Sequence, residues 1–156
     1  MNLAILLGVS DYNEIDSLPG CRNDVKLVYD LVQNTDRFQD ILYLANNTTS
    51  NNVKEKLAEF TLKHKGNSES IDEVFFYYTG HGLFSKEEFH LVLSDYNSSW
   101  LNRTTYKNSE VDDLLKGLSL KLTVKIIDAC HSGVKYVKDV NDMEVTKVLN
   151  ASTFAA

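Results

Sequence analysis

The chain has 156 residues, 43% of them hydrophobic and 24% charged, which is the composition of an ordinary single globular domain. Its net charge of −6 disfavours nucleic acid as a partner, because phosphate binding requires a basic surface. No apolar run is long enough to cross a bilayer, and the amino terminus lacks the basic region of a signal peptide, so we expect no membrane partner.

Strands and helices are predicted to alternate along the chain. Apolar runs predict strands at residues 3–9, 41–44, 73–78 and 122–128, with a short strand or hairpin arm at 89–93. Periodic apolar positions predict helices from residue 24 onward, after a cap at Ser50, at 109–118 and at 139–149, and residues 153–156 begin another strand. Residues 11–20 and 66–70 are predicted loops. This alternation predicts an α/β domain with a mostly parallel sheet and helices on both faces.

Two short motifs follow the third and the last of the central strands. Tyr-Thr-Gly-His-Gly occupies residues 78–82, and Asp-Ala-Cys-His-Ser-Gly occupies residues 128–133. Each is predicted to be a turn at the carboxyl end of its strand, which is where open α/β sheets bind ligands. A cysteine nucleophile with a histidine about 50 residues upstream is a known arrangement for peptide cleavage. If the two strands are neighbours, both side chains lie at the same edge of the sheet.

The candidate catalytic pair is Cys130 and His81. A free cysteine is usually a buried structural thiol, and a histidine in a Gly-x-Gly turn is usually at the surface. Together they permit nucleophilic catalysis, in which neutral His81 takes the thiol proton and later returns it to the leaving amine. His131 is the alternative base, but adjacent side chains generally diverge, so we expect it to lie at the rim of the site.

The chain resembles the large-subunit region of caspase-like cysteine peptidases, and is more similar to metacaspases and their bacterial relatives than to animal caspases. Four stretches carry the resemblance in the family's order: residues 3–9 with Tyr12, residues 20–25, which resemble the loop entering the first helix, and the two motifs. The second motif is not the animal-caspase Gln-Ala-Cys-x-Gly, so their preference for aspartate is not carried over. Bacterial relatives work in stress, programmed cell death or antiviral defence.

The resemblance implies a three-layer α/β/α sandwich forming one domain over residues 1–156. The family fold continues with a further strand and helices, so the sequence is expected to end at or in the fifth core strand, with the final strand and helices missing or truncated. A missing small-subunit segment or a regulatory domain is therefore an expected partner, besides a protein or peptide substrate.

The resemblance also implies roles for glycine and aspartate. Gly82 and the backbone N–H of Cys130 are the expected oxyanion donors. Asp24 and Asp128 match the acidic pocket of metacaspases, which implies cleavage after Arg or Lys. Without the resemblance, Asp24 is a helix-start residue favoured by the helix dipole, and Asp128 a carboxylate that holds a loop. Arg22 is expected either to neutralise Asp24 or to point away.

The remaining histidines and cysteine have structural interpretations. His64 is expected at the surface and His90 in a structural position, and Cys21 is expected to be a small buried hydrophobe. With two cysteines, Cys21 and Cys130, a pairing is conceivable by count, but a reduced cytoplasmic chain is favoured.

We expect no cofactor and no metal site. The His, Cys, Asp and Glu spacing matches no zinc site. Some family members use calcium, but the acidic residues of the loops match no EF-hand and are expected to be surface charge; they are Asp11, Asp16, Glu87 and Glu88.

Two other classes of protein compete with an endopeptidase. One is a catalytically silent caspase-like module that regulates or scaffolds a larger assembly. The other is a small-molecule-binding doubly wound domain such as a flavodoxin-like receiver, which requires a phosphate loop or acidic cluster after the first strand; residues 8–11 form a poor phosphate loop.

Overall fold

The computed structural model describes residues 1–66 and 70–131, with the backbone alone for Cys130 and His131. The strands are β1 (Asn2–Gly8), β2 (Asp40–Leu44), β3 (Glu73–Ser85), β4 (Glu88–Val92), β5 (Thr105–Lys107) and β6 (Leu122–His131). The helices are α1 (Pro19–Asn34), α2 (Ser50–His64), α3 (Leu101–Thr104) and α4 (Asn108–Lys116), with a 3₁₀ turn at Ser98–Trp100. None of the helices in this described part is long and apolar enough to cross a membrane.

The sheet is built around β3, which is thirteen residues long. Four strands run parallel in the order β2-β1-β3-β6. On one edge of β3, the partner is first β1, up to the pair Gly8–Thr79, and then antiparallel β4, from the pair Gly82–Leu91. On the other edge, β6 pairs with β3 continuously from Glu73 to Gly82. β5 extends the antiparallel part beyond β4.

The buried strand β1 separates two layers of helices. Leu3, Ile5 and Leu7 are fully buried in a core that includes Val53, Leu57 and Phe60 of α2 and Val111 and Leu115 of α4. The alternate residues Ala4 and Leu6 pack with Val25 and Val32 of α1 on the opposite face. A strand buried on both faces has the continuous apolar run seen at residues 3–9. The predicted α/β architecture, with helices on both faces of a mostly parallel sheet, is confirmed.

Helix α1 begins five residues earlier than predicted. Pro19 is its first residue, where a fixed φ and a missing N–H cost nothing. Residues 20–24 are therefore helical, whereas the sequence predicted a loop there. Ser50 does begin α2, but the cap comes from another loop: Asp95 accepts hydrogen bonds from the Ser50 N–H (2.8 Å) and the Ser50 hydroxyl (2.6 Å).

The prediction that residues 78–82 form a turn is wrong. Strand β3 continues through them to Ser85, because β4 folds back and pairs with Gly82–Ser85. β6 likewise continues through Cys130 to His131 instead of ending at residue 128. Glycine signals a turn locally, but a partner strand supplied from later in the chain outweighs that signal.

Several predictions concern residues outside the described part of the chain. These are the turn at 132–133, the helix at 139–149, the strand at 153–156 and most of the break at 66–70. Conversely, the short strand β5, the helix α3 and the 3₁₀ turn were not predicted, because each is only three or four residues long.

Candidate active site

His81 lies in β3 at a gap between two strand partners. Val9 N donates to Thr79 O (2.9 Å) at the end of β1, and β4 begins pairing at Gly82. The N–H and C=O of one residue in a strand point to the same side. Residue 81 therefore directs both backbone groups into the space between the end of β1 and the start of β4.

Two tyrosine hydroxyls occupy this space. The His81 N–H donates to Tyr12 Oη (2.8 Å), and the one proton of Tyr78 Oη is shared between the carbonyls of His81 (2.6 Å) and Val92 (2.9 Å). Burial, followed by the neighbouring Tyr12 hydroxyl, raises the pKa of Tyr78 well above its ordinary value, so Tyr78 remains a donor.

The imidazole of His81 is half-buried and held on two sides. Its ring centroid is 4.8 Å from that of Tyr12, with a 59° tilt, and its Nε2 is 2.8 Å from the backbone oxygen of Asp16. Because a carbonyl oxygen only accepts, Nε2 carries the proton of neutral His81. Nδ1 is then the basic nitrogen, and it has no hydrogen-bond partner within the described part of the chain. The ring is thus in the tautomer that a general base requires.

The backbone of Cys130 lies beside that of His81. The parallel register of β3 and β6 pairs His81 with Cys130 and Thr79 with Asp128. Neighbouring strands are roughly 4.8 Å apart, so the two predicted catalytic residues are adjacent across one ladder. The side chain of Cys130, like that of His131, is outside the described residues. The expectation that the two strands are neighbours is met.

The buried Tyr77 is affected by the charges of both Asp24 and Asp128. Tyr77 Oη donates to Asp128 Oδ2 at 3.4 Å, a long hydrogen bond. Burial, then the charge of Asp128 and, more weakly, that of Asp24 raise the pKa of Tyr77 to about 12, although a hydrogen bond with Thr79 opposes them. Both carboxylates are exposed. Asp128 thus contacts Tyr77, and the charge of Asp24 acts on the same hydroxyl; the role of the two aspartates in substrate binding stays a prediction.

Arg22 was expected either to neutralise Asp24 or to point away from it, and the structure supports the second expectation. Arg22 Nη2 donates to Asp11 Oδ2 at 2.7 Å, so this arginine is engaged by another loop. Asp24 is the sixth residue of α1, beyond its first turn, and the helix dipole therefore explains it poorly.

Gly82 is a glycine for a packing reason that the sequence did not show. A Cβ at this position lies 2.3 Å from Phe89 Cζ and 3.0 Å from Ala129 Cβ. The residue is buried inside the sheet, with Leu91 on one side and His131 on the other. Its role as an oxyanion donor stays a prediction.

His64 was predicted at the surface, and this is wrong. It is 4% exposed, and its Nε2 is 2.8 Å from Asp40 Oδ2. His64 follows Phe60 by four residues, so it continues the buried stripe of α2. That spacing was visible in the sequence and should have placed it inside.

The structural interpretation of His90 is confirmed, since it is buried and its Nδ1 is 2.9 Å from Thr105 Oγ1. Cys21 is buried in α1, as expected of a small hydrophobe, although it lies in a helix and not in a loop. Among the side chains of residues 1–66 and 70–129, no three from His, Cys, Asp or Glu are grouped closely enough to hold a metal ion.

Comparison with known sequences identifies the family of the chain. The profile of the caspase domain matches residues 1–154. The chain belongs to the caspase-domain family. It is also 28% identical over 148 residues to Metacaspase-1 of Plasmodium falciparum (isolate 3D7), an alignment that covers 83% of this chain and 24% of that protein. The chain therefore spans about a quarter of the length of this metacaspase.

The resemblance found in the sequence and its α/β fold class are thereby established. Sequence reasoning identified His81 but missed what surrounds it. Tyr12 was singled out only as part of the resemblance, and neither Tyr78 nor the Asp16 carbonyl was recognised, because backbone partners leave no local pattern.

Proposed function

We propose that this chain carries the catalytic dyad of a cysteine endopeptidase. The observation that supports this most strongly is the register of β3 and β6, which sets His81 of one caspase-family motif beside Cys130 of the other. The protonated Nε2 of His81, anchored on Asp16, leaves Nδ1 as the base.

In the proposed reaction, His81 Nδ1 accepts the proton of the Cys130 thiol, and the sulfur attacks the carbonyl carbon of the scissile peptide bond. Backbone N–H groups of Gly82 and Cys130 stabilise the oxyanion that forms. When the carbon–nitrogen bond breaks, the imidazolium returns its proton to the leaving amine. Water then hydrolyses the thioester, with His81 again acting as base, and the thiol is regenerated.

We propose that the substrate residue before the scissile bond is Arg or Lys. Asp24 and Asp128 both act on Tyr77, so a cation bound near that hydroxyl meets two carboxylates. A guanidinium makes charge-assisted and bidentate hydrogen bonds with such a pair, whereas an ammonium makes a point-charge contact. An aspartate side chain meets like charges there, which costs several kcal/mol.

The test compares Cys130→Ala, His81→Ala and His131→Ala on a fluorogenic peptide amide that ends in arginine. The first variant should lose all turnover, because it lacks the atom that forms the thioester. His81→Ala should lose roughly 10²–10⁴-fold in kcat, the usual contribution of a positioned base. His131→Ala should stay within about tenfold of wild type, since the base is His81.

Far-UV circular dichroism establishes that each variant is folded. If His131→Ala is the inactive histidine variant, the assignment of the base is wrong. A folded wild type that turns over none of the peptides, and whose Cys130 reacts with iodoacetamide at mildly acidic pH no faster than a free thiol, favours the silent regulatory module instead.

A further inference from the structure

We propose that Tyr12 is a positioning residue for His81, acting with Tyr78 as a pair of hydroxyls that hold the backbone of the proposed base; the inference rests on the proposed function. The inference is based on the contacts that Tyr12 and Tyr78 make with the backbone of His81, and on the contact of Tyr12 with its ring. We refer to Tyr12 and Tyr78 together as the tyrosine clamp.

The clamp supplies hydrogen-bond partners to the backbone N–H and C=O of His81. A strand that loses its neighbour leaves an N–H and a C=O to be satisfied in the interior. Here β1 has ended by Thr79 and β4 begins only at Gly82. The Tyr12 hydroxyl accepts the His81 N–H at 2.8 Å and the Tyr78 hydroxyl donates to the His81 carbonyl at 2.6 Å, so both groups are satisfied without a strand.

The clamp is built from rigid parts. Tyr78 is fully buried and Tyr12 is 8% exposed, so neither ring moves freely. The Tyr12 ring also packs against the imidazole itself, at 4.8 Å between centroids. Two hydroxyls therefore hold the backbone of His81, and the Tyr12 ring packs against its imidazole. The backbone carbonyl of Asp16 holds Nε2.

This matters for catalysis because proton transfer depends steeply on geometry. A displacement of about 1 Å at a reacting group can cost roughly 10²-fold in rate. If a hydroxyl of the clamp is removed, His81 keeps its ring and its charge but loses the restraint on its backbone. We therefore expect kcat to fall, while KM, which reflects the proposed substrate binding at Asp24 and Asp128, changes little.

The test uses Tyr12→Phe, which deletes only the hydroxyl and keeps the ring against the imidazole. Tyr106→Phe is the matched control, because Tyr106 is likewise buried (7% exposed) but lies in β5, away from His81. We expect Tyr12→Phe to lower kcat on the arginine peptide at least about tenfold with KM within about threefold, and Tyr106→Phe to change neither.

A second readout does not need activity. Amide hydrogen exchange at His81 should be slow in the wild type and at least about tenfold faster in Tyr12→Phe. Tyr78→Phe, which frees the carbonyl instead, should lower kcat in the same direction. A wild-type His81 amide that exchanges as fast as an unprotected one overturns the clamp without recourse to any variant.

The outcomes separate the two proposals. If His81→Ala is inactive and folded Tyr12→Phe turns over like the wild type, the clamp is wrong and the dyad stands. If His81→Ala retains full turnover, the dyad itself is wrong, and the role of the clamp in proton transfer is overturned with it.

Discussion

At the residue scale, Gly80 lies next to both hydroxyls of the tyrosine clamp. A Cβ built there would be 2.5 Å from Tyr78 Oη and 2.8 Å from Tyr12 Oη, distances that no real Cβ tolerates. Both atoms belong to hydroxyls that are already engaged with His81. Any side chain at this position must therefore push the clamp away from the proposed base.

We predict that Gly80→Ala destabilises the fold by about 1–3 kcal/mol, since overpacking at a buried site forces its neighbours to shift. Gly20→Ala is the control, because a Cβ there meets nothing within 4 Å and the residue is helical. That variant should be neutral or up to about 1 kcal/mol more stable. Urea denaturation measures both. Equal stabilities of the two variants would contradict the crowding at Gly80.

At the scale of secondary-structure elements, the end of α2 is tied to the start of β2. His64, with its side chain buried, and Lys63, 65% exposed, both contact Asp40 Oδ2, at 2.8 and 2.7 Å. Partial burial raises the pKa of Asp40, but the hydrogen bonds from Lys63 and His64 outweigh it and hold this pKa below its ordinary value. His64 Nδ1 is buried and has no hydrogen-bond partner in the described part of the chain, so Asp40 supplies the only hydrogen bond of the ring there.

Asp40→Ala should therefore cost about 1–3 kcal/mol in the free energy of unfolding, because it leaves both nitrogens of a buried imidazole unsatisfied. Lys63→Ala, which removes the exposed partner of the same carboxylate, should cost less than about 1 kcal/mol. Urea denaturation at pH 7 distinguishes them. If the lysine variant is the less stable of the two, the buried histidine is not what makes this contact important.

The same contact has a pH dependence of known sign. A carboxyl whose pKa is lowered on folding contributes stability above its unfolded pKa, which is then lost as the pH falls through the folded one. The wild type should thus lose part of its stability as the pH drops below the ordinary value of 3.8, and Asp40→Ala should lose less over that range. If the two proteins lose the same amount of stability as the pH falls over that range, this explanation is wrong.

At the scale of the whole molecule, the net charge bears on the proposed preference for cationic substrates. The chain carries a net charge of −6, and two of its carboxylates lie near Tyr77 at the proposed site. Such a field attracts a positive peptide, and salt weakens the attraction, since the Debye length is about 10 Å at 0.1 M ionic strength.

We predict that kcat/KM for a peptide with arginine before the cut falls several-fold between roughly 0.02 and 0.3 M salt, while a matched norleucine peptide changes little. Asp24→Asn should lower kcat/KM for the arginine peptide more than for the norleucine one. Measurement requires a peptide series that varies only this residue. A preference for aspartate would refute the acidic pocket.

Much of this molecule follows from local sequence patterns. The apolar run at residues 3–9 predicted a doubly buried strand, and the periodic positions predicted three described helices, because burial on one or both faces dictates where apolar residues recur. The two motifs located His81 and Cys130, since their chemistry demands those residue types. Local patterns even held the signal for the buried His64, at helical spacing from Phe60.

Only the tertiary structure decided what surrounds the proposed base. The histidine motif is strand and not turn because β4 returns to pair with it, and His81 lies where one partner strand has ended and the next has not begun. Tyr12, Tyr78 and the Asp16 carbonyl meet there from up to 69 residues away in the chain. Hydrogen bonds between backbone groups and distant hydroxyls depend on how strands are paired, and pairing across such separations leaves no periodic trace in a sequence.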